Sequence, residues 1–169
     1  MTDKTHYRKA FNSPYLSSAD IVEPTNLTIH HVLLEPDKTK KTKDHFNTVY
    51  FTQPEIRAGE KLKPMILNAT NSRMVKDLSG TPFIDDWQDL EICVYVDPNV
   101  KMMGETVEGL RICQPIVKKE LTPDNVTQWG NAIAAYRRDG NLDAVKKRVT
   151  VSPEHEQKII EIAGQANAS

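Results

Sequence analysis

Glycine is scarce in this chain. Seven glycines are scattered singly through 169 residues, so no glycine-rich loop is available to cradle a phosphate. Cysteine is scarcer still. Cys93 and Cys113 are the only two, and neither belongs to a CxxC or Cys/His pattern, so no zinc site is suggested. They read as small buried or half-buried apolar residues rather than as a disulfide, which a reducing cytosol disfavours. Long apolar runs are missing as well: no stretch approaches the ~20 residues of a membrane span, and the polar segment Met1 to Ser18 has no signal-peptide core. A cytoplasmic protein without a membrane partner is expected. Neither sign of charge is in excess. Lys and Arg number 22 against 23 Asp and Glu, a net charge of −1, which argues mildly against a protein that coats nucleic acid by bulk electrostatics.

What is present is a soluble globular balance, with 38% hydrophobic and 27% charged residues, long enough for one domain plus an appendage. Charge is segregated along the chain. Arg57, Lys61, Lys63, Arg73 and Lys76 face a single acid, Glu60, between residues 57 and 76. Residues 77 to 97 then carry Asp77, Asp85, Asp86, Asp89, Glu91 and Asp97 with no cation. Lys38, Lys40, Lys41 and Lys43 form a second basic cluster. Such runs fit a basic binding surface, and they equally fit solvated loops.

Residues 1 to 24, with Tyr7, Phe11 and Tyr15, show no period and read as an arm that packs on the domain or orders on binding. From Leu27 to Leu34 residues alternate with a period of two, which places His30 and His31 on opposite faces of a strand. Asn47 to Thr52 is rich in β-branched and aromatic residues and reads as a second strand. Pro54 to Gly59 is turn-like, and Lys63 to Asn68 reads as a third strand. The period then becomes helical from Ala69 to Leu78, with Asn68 or Thr70 as N-cap and Gly80 as terminator. Leu90 to Val96 is a fourth strand, Asp97-Pro98-Asn99 a turn, and Thr106 to Cys113 a fifth strand. Three strands, a short helix and two strands is the order of an OB fold, a small five-stranded barrel. It is expected over residues 25 to 118, with a helical extension over 119 to 169. That extension carries Val126, Trp129, Ile133 and Tyr136 at helical spacing, and Ser152 caps its last helix.

No catalytic constellation emerges. Asp85, Asp86 and Asp97 are the only candidates for a metal-dependent hydrolase, and they read more simply as loop and turn carboxylates. No serine or cysteine lies in a recognised nucleophile motif. No cofactor is expected. Binding chemistry has more support. With Leu90, Ile92, Val94 and Val96 inside the barrel, Glu91, Cys93 and Tyr95 point outward. By the same reasoning Arg111 and Cys113 lie outside on the last strand, and Tyr50 on the second. Tyr50, Tyr95 and Arg111 would then form a stacking platform with a cation, suited to bases of any identity. Asn68, Thr70, Asn71, Arg73 and Lys76 at the helix start suit a phosphate. Arg57, Lys61 and Lys63 would hold backbone, and Lys101 is placed in a hairpin loop beside the cleft. Capping and solvation are the plainer readings of Asn68 and Lys101.

The strings Leu67-Asn68-Ala69-Thr70-Asn71, Asp86-Trp87, Ile92 to Lys101 (ICVYVDPNVK) and Gly109-Leu110-Arg111-Ile112 resemble a family of small phage and prophage proteins. These are treated as OB-fold single-stranded-DNA-binding proteins and are encoded near recombination and replication genes. The resemblance covers roughly residues 25 to 117, and the segment from Trp129 to Ile160 is similar to C-terminal segments in the same group. It implies phage origin, action in DNA replication or recombination in the host cytoplasm, and no catalysis. The chain departs from the family pattern at Met102-Met103-Gly104-Glu105, where a turn richer in glycine and lysine is usual. It also ends without the acidic, phenylalanine-terminated tail of bacterial single-strand-binding proteins, so recruitment of host repair proteins through such a tail is not expected. The other reading is a protein-interaction module, in which residues 120 to 169 dock a phage recombinase, nuclease or replication protein. Homo-oligomerisation is left open.

Overall fold

A computed structural model describes residues 5–165; the expectations for the first four and last four residues lie outside it. The protein is mixed α/β. Its strands are β1 (Thr25–Pro36), β2 (His45–Phe51), β3 (Glu55–Arg57), β4 (Glu60–Lys61), β5 (Met65–Leu67), β6 (Leu90–Met102) and β7 (Glu105–Cys113). Its helices are α1 (Ala69–Ser79), α2 (Val126–Asp139), α3 (Asp143–Lys146) and α4 (Pro153–Gln165). The chain divides into two compact units, the first ending at Ile116 and the second beginning at Val117.

The first unit is built on one antiparallel sheet in the order β5-β2-β1-β6-β7. Alternation explains its core. Leu27, Ile29, Val49, Met65, Leu67, Ile92, Val94 and Ile112 all turn to one face and are buried together, with Val75 of α1 and Trp87 packed on them. Burying side chains of this size is worth about 1.5–3 kcal/mol each. Among the described residues no ladder joins β5 to β7, so the five strands form an open sheet where a closed barrel was expected. Helix α1 lies between these two edges. It is capped as expected, with Asn68 Oδ1 accepting the Asn71 N–H at 2.9 Å and Gly80 in the left-handed conformation at φ 77°. The buried Asn71 side chain donates from Nδ2 to the Leu110 carbonyl of β7 at 3.0 Å.

Several local expectations change. The turn-like segment after β2 contains a second, two-stranded sheet, β3-β4, turned at Gly59 with φ 77°. The alternation of β1 breaks between Ile29 and His31, where the register against β2 shifts. This bulge sends Val32 inward and leaves His30 and His31 side by side rather than on opposite faces. Their Nδ1 atoms are 2.6 Å apart. Asp97-Pro98-Asn99 is not a turn. Asp97 Oδ1 accepts the Asn99 N–H at 2.9 Å, and the register shifts between Asp97 and Val100. The segment is a bulge inside a continuous strand, where proline's missing N–H is tolerated. The hairpin instead turns at Met103 and Gly104, both at positive φ, 50° and 85°, the backbone that two-residue hairpin turns of right-handed twist require.

The arm packs on this unit. Leu16 and Ile21 join the core, Leu16 N–H donates to the Pro64 carbonyl at 2.8 Å, and the buried Tyr15 hydroxyl accepts the Lys38 N–H at 2.7 Å. The second unit has a core of its own, formed by Leu121, Trp129, Ala132, Leu142 and Ile159. Gly140 ends α2 in the left-handed conformation, and Ser152 Oγ accepts the His155 N–H at 3.3 Å at the start of α4.

Candidate nucleic-acid interface

The β6–β7 pair outruns the rest of the sheet. The last residue of β6 paired with β1 is Val94, opposite Thr25, while β6 continues to Met102 against β7. Beyond Val94 the two strands form a ribbon. On its outer face Tyr95 lies directly opposite Arg111, and both are half-buried. Their inward neighbours Val96 and Leu110 pack against the core, so alternation fixes the outward direction of the pair. The next step of this face is Gly109, opposite Asp97. Val100 leans over it so closely that a Cβ there would meet Val100 Cγ2 at 2.9 Å. The result is a low step beside the Tyr95–Arg111 pair. Lys101 belongs to β6 itself, not to a loop after Pro98. It is exposed, and its Nζ donates to Thr106 Oγ1 at 3.3 Å.

Cys93 does not face solvent as expected. It stands opposite Asn26 on one side and Cys113 on the other. Asn26 makes a two-bond clasp with Ile116, Nδ2 to the carbonyl and Oδ1 from the N–H, each 2.9 Å. The chain leaving β7 is thereby tied across the outer row, and Cys93 is fully buried. Burial pushes its thiol up to about 11, and the neighbouring Cys113 adds to the rise. Both sulfurs are free.

Tyr50 belongs to a different place. It sits opposite His31 on β1, six residues from Thr25. At about 3.3 Å per strand residue, that is roughly 20 Å from the Tyr95 pair. The His31 ring covers one of its faces at 4.7 Å between centroids and 9° between planes. Its hydroxyl donates to Glu35 Oε1 at 2.6 Å and meets Lys38 Nζ. Burial, then the bond to Glu35, pushes the Tyr50 hydroxyl above its usual range. Burial also pushes the Glu35 carboxyl up, but the bonds from Tyr50 and Lys38 outweigh it and hold the carboxyl below its usual range. The three-residue platform expected from the sequence is therefore two separate sites.

The basic segment is also divided. Arg57 is occupied: Nε and Nη2 bind Glu60 at 2.9 and 2.6 Å, and Nη1 donates to the Asp20 carbonyl at 2.9 Å. Lys63 pairs with Asp20 at 3.6 Å. Lys61, Arg73 and Lys76 are exposed. Asn68 and Asn71 serve the helix cap and the β7 edge, and Asn71 Oδ1 has no partner among the described residues.

Sequence reasoning gave no binding role to the order of the lysine loop. Asp37, at its head, is buried and accepts from the Thr39 hydroxyl at 2.7 Å, the Thr39 N–H at 2.9 Å and the Thr42 N–H at 3.2 Å. These bonds, the Thr39 hydroxyl first, hold its carboxyl below the usual range. The Asp-x-Thr spacing of an Asx turn was the available signal. Lys40 and Lys41 project from this fixed loop. The acids weighed for metal chemistry have ordinary duties: Asp86 Oδ2 accepts from Thr81 Oγ1 at 2.9 Å, and Asp97 holds its bulge. Among the described residues no group of three or more His, Cys, Asp or Glu could hold a metal ion. No protein-family model, curated protein or solved structure matches the chain.

Proposed function

We propose that the first unit binds single-stranded DNA without covalent chemistry, on the outer face of the β6–β7 ribbon. The observation that carries this reading is the direct opposition of Tyr95 and Arg111 on a ribbon that no other strand of the sheet covers. A half-buried tyrosine is held rigidly yet offers ring surface, and stacking a base on it is worth about 1–3 kcal/mol whatever the base. The guanidinium opposite it can bond a phosphate or lie flat on a neighbouring base. Lys101 extends positive charge toward the hairpin end. In this reading Tyr50 is a structural neighbour of the lysine loop rather than part of the platform, and Arg57 and Lys63 hold the arm and the β3–β4 hairpin.

The element order, three sheet strands, a helix and two more, supports a partly open barrel of the OB type, with α1 at the seam between its edges. The resemblance to phage-encoded single-strand binders points the same way and would place the protein in DNA replication or recombination. A second reading attaches to the helical unit. Its separate core frees it to dock a recombination or replication protein while the sheet binds DNA.

The test is a fluorescence-anisotropy titration of a labelled 30-mer with the whole chain at two salt concentrations. Intrinsic fluorescence is a poor probe, because Trp87 and Trp129 are both buried. Binding that weakens as salt rises is expected. No binding at low salt rejects the proposal.

A further inference from the structure

The three aromatic residues of the described arm have different fates. Tyr15 is buried, whereas Tyr7 and Phe11 are each 69% exposed. A single exposed aromatic needs no explanation, but the surroundings of Phe11 do. Its side chain is a shared wall of two concavities. The larger, of about 600 Å³, is bounded on its far side by Lys38, Thr39 and Lys41 of the lysine loop, with Pro14 beside Phe11. The smaller, of about 160 Å³, is lined by Arg8, Lys9 and Lys63. No carboxylate lines the first. Asp20 and Glu60 line the second, where they pair with Lys63 and Lys9, leaving Arg8 as its cation without a carboxylate partner among the described residues.

The geometry is set before any ligand arrives. Asp37 fixes the lysine loop through Thr39 and Thr42, and Lys38 is held by Glu35 at 3.3 Å. The arm is anchored on either side of Phe11, at Lys9 by Glu60 and at Tyr15 and Leu16 by the Tyr15 hydroxyl on the loop backbone and the Leu16 bond to Pro64. An exposed ring between two cation-lined hollows matches one repeat of a single strand: a base flanked by two phosphates. A base within a duplex has no free face to offer such a ring.

We infer that Phe11 is a second stacking post, on which a base of the single strand lies with one flanking phosphate toward Lys41 and the other toward Arg8. This rests on the single-stranded-DNA reading and adds the arm to the bound surface, away from the β6–β7 ribbon.

The whole chain carrying Phe11→Ala, Phe11→Trp or Lys41→Glu is titrated with labelled dT30 by anisotropy, and each variant's thermal midpoint is measured alongside. Phe11→Ala is expected to weaken binding roughly five- to 150-fold with an unchanged midpoint, since the ring is mostly in water. Phe11→Trp is expected to retain affinity, and its emission to be quenched on binding. Lys41→Glu is expected to flatten the dependence of log affinity on log salt by about one or more. If the unaltered chain binds dT30 and Phe11→Ala binds equally well, or the Phe11→Trp emission does not change, the arm has no such role and the ribbon reading stands. If the unaltered chain does not bind, both fall together.

Discussion

At the scale of the residue, an internal partner decides which charged or aromatic side chain is free to meet a ligand. Arg57 and Lys61 look alike in sequence, yet Glu60 and the Asp20 carbonyl take up the first, while the second is exposed. The Glu60 partner was legible at a spacing of three; Asp20 was not, because it arrives from an arm without periodicity. Tyr50 and Tyr95 were both read as outward from alternation, and both are. Alternation gives the face but not the distance along it, nor that His31 would lie flat on Tyr50. The two tyrosines are expected to differ in effect. Tyr95→Ala or Arg111→Ala should weaken oligonucleotide binding by about 1–3 kcal/mol each with little loss of stability. Tyr50→Phe should leave affinity within twofold, and anisotropy titrations of the three variants check the contrast.

At the scale of the element, capping and alternation carried most of the information. Helix α1 is where Asn68 and Gly80 place it, and Asn68→Ala is expected to cost about 1 kcal/mol of stability, read by denaturant unfolding. The strand cores were equally plain. The misplaced hairpin turn has a physical cause. Asp-Pro-Asn is a strong turn signal, but Asp97 spends its side chain on the Asn99 N–H within a bulge, and the turn falls on Met103-Gly104, where only the glycine hints at positive φ. Bulges in β1 and β6 shift register through backbone pairing, which no single-residue propensity encodes. The lysine loop carries a pH dependence of its own. Its Asp37 carboxyl sits below the ordinary aspartate range, so its ionised form is favoured by folding. That contribution is fully present above the unfolded value of about 4 and is lost as pH falls through the depressed native one. Asp37→Asn should therefore lower the thermal midpoint at pH 7, and the gap from the unaltered chain should narrow on acidification. A gap that widens as pH falls would contradict the assignment.

At the scale of the whole molecule, the chain is two units with separate cores. Composition allowed for a domain and an appendage, and periodicity separated strands from helices. What could not be read was that the late helices pack on one another, because an apolar stripe does not say what covers it. The open seam between β5 and β7 was also hidden, since edge pairing over long sequence separation leaves no local trace. Ile159→Ala, which empties a fully buried site, is expected to cost about 2–5 kcal/mol and to melt the helical unit alone. Circular dichroism should then show partial loss of helix while oligonucleotide affinity is unchanged.

The placement of the strand on the β6–β7 ribbon is tested most directly by photo-crosslinking the whole chain to an oligonucleotide carrying 5-iodouracil and mapping the adducts by mass spectrometry. An adduct on the peptide containing Tyr95, lost in Tyr95→Ala, is the expected result. Efficient crosslinking with every adduct elsewhere and none between Leu90 and Cys113 would contradict it.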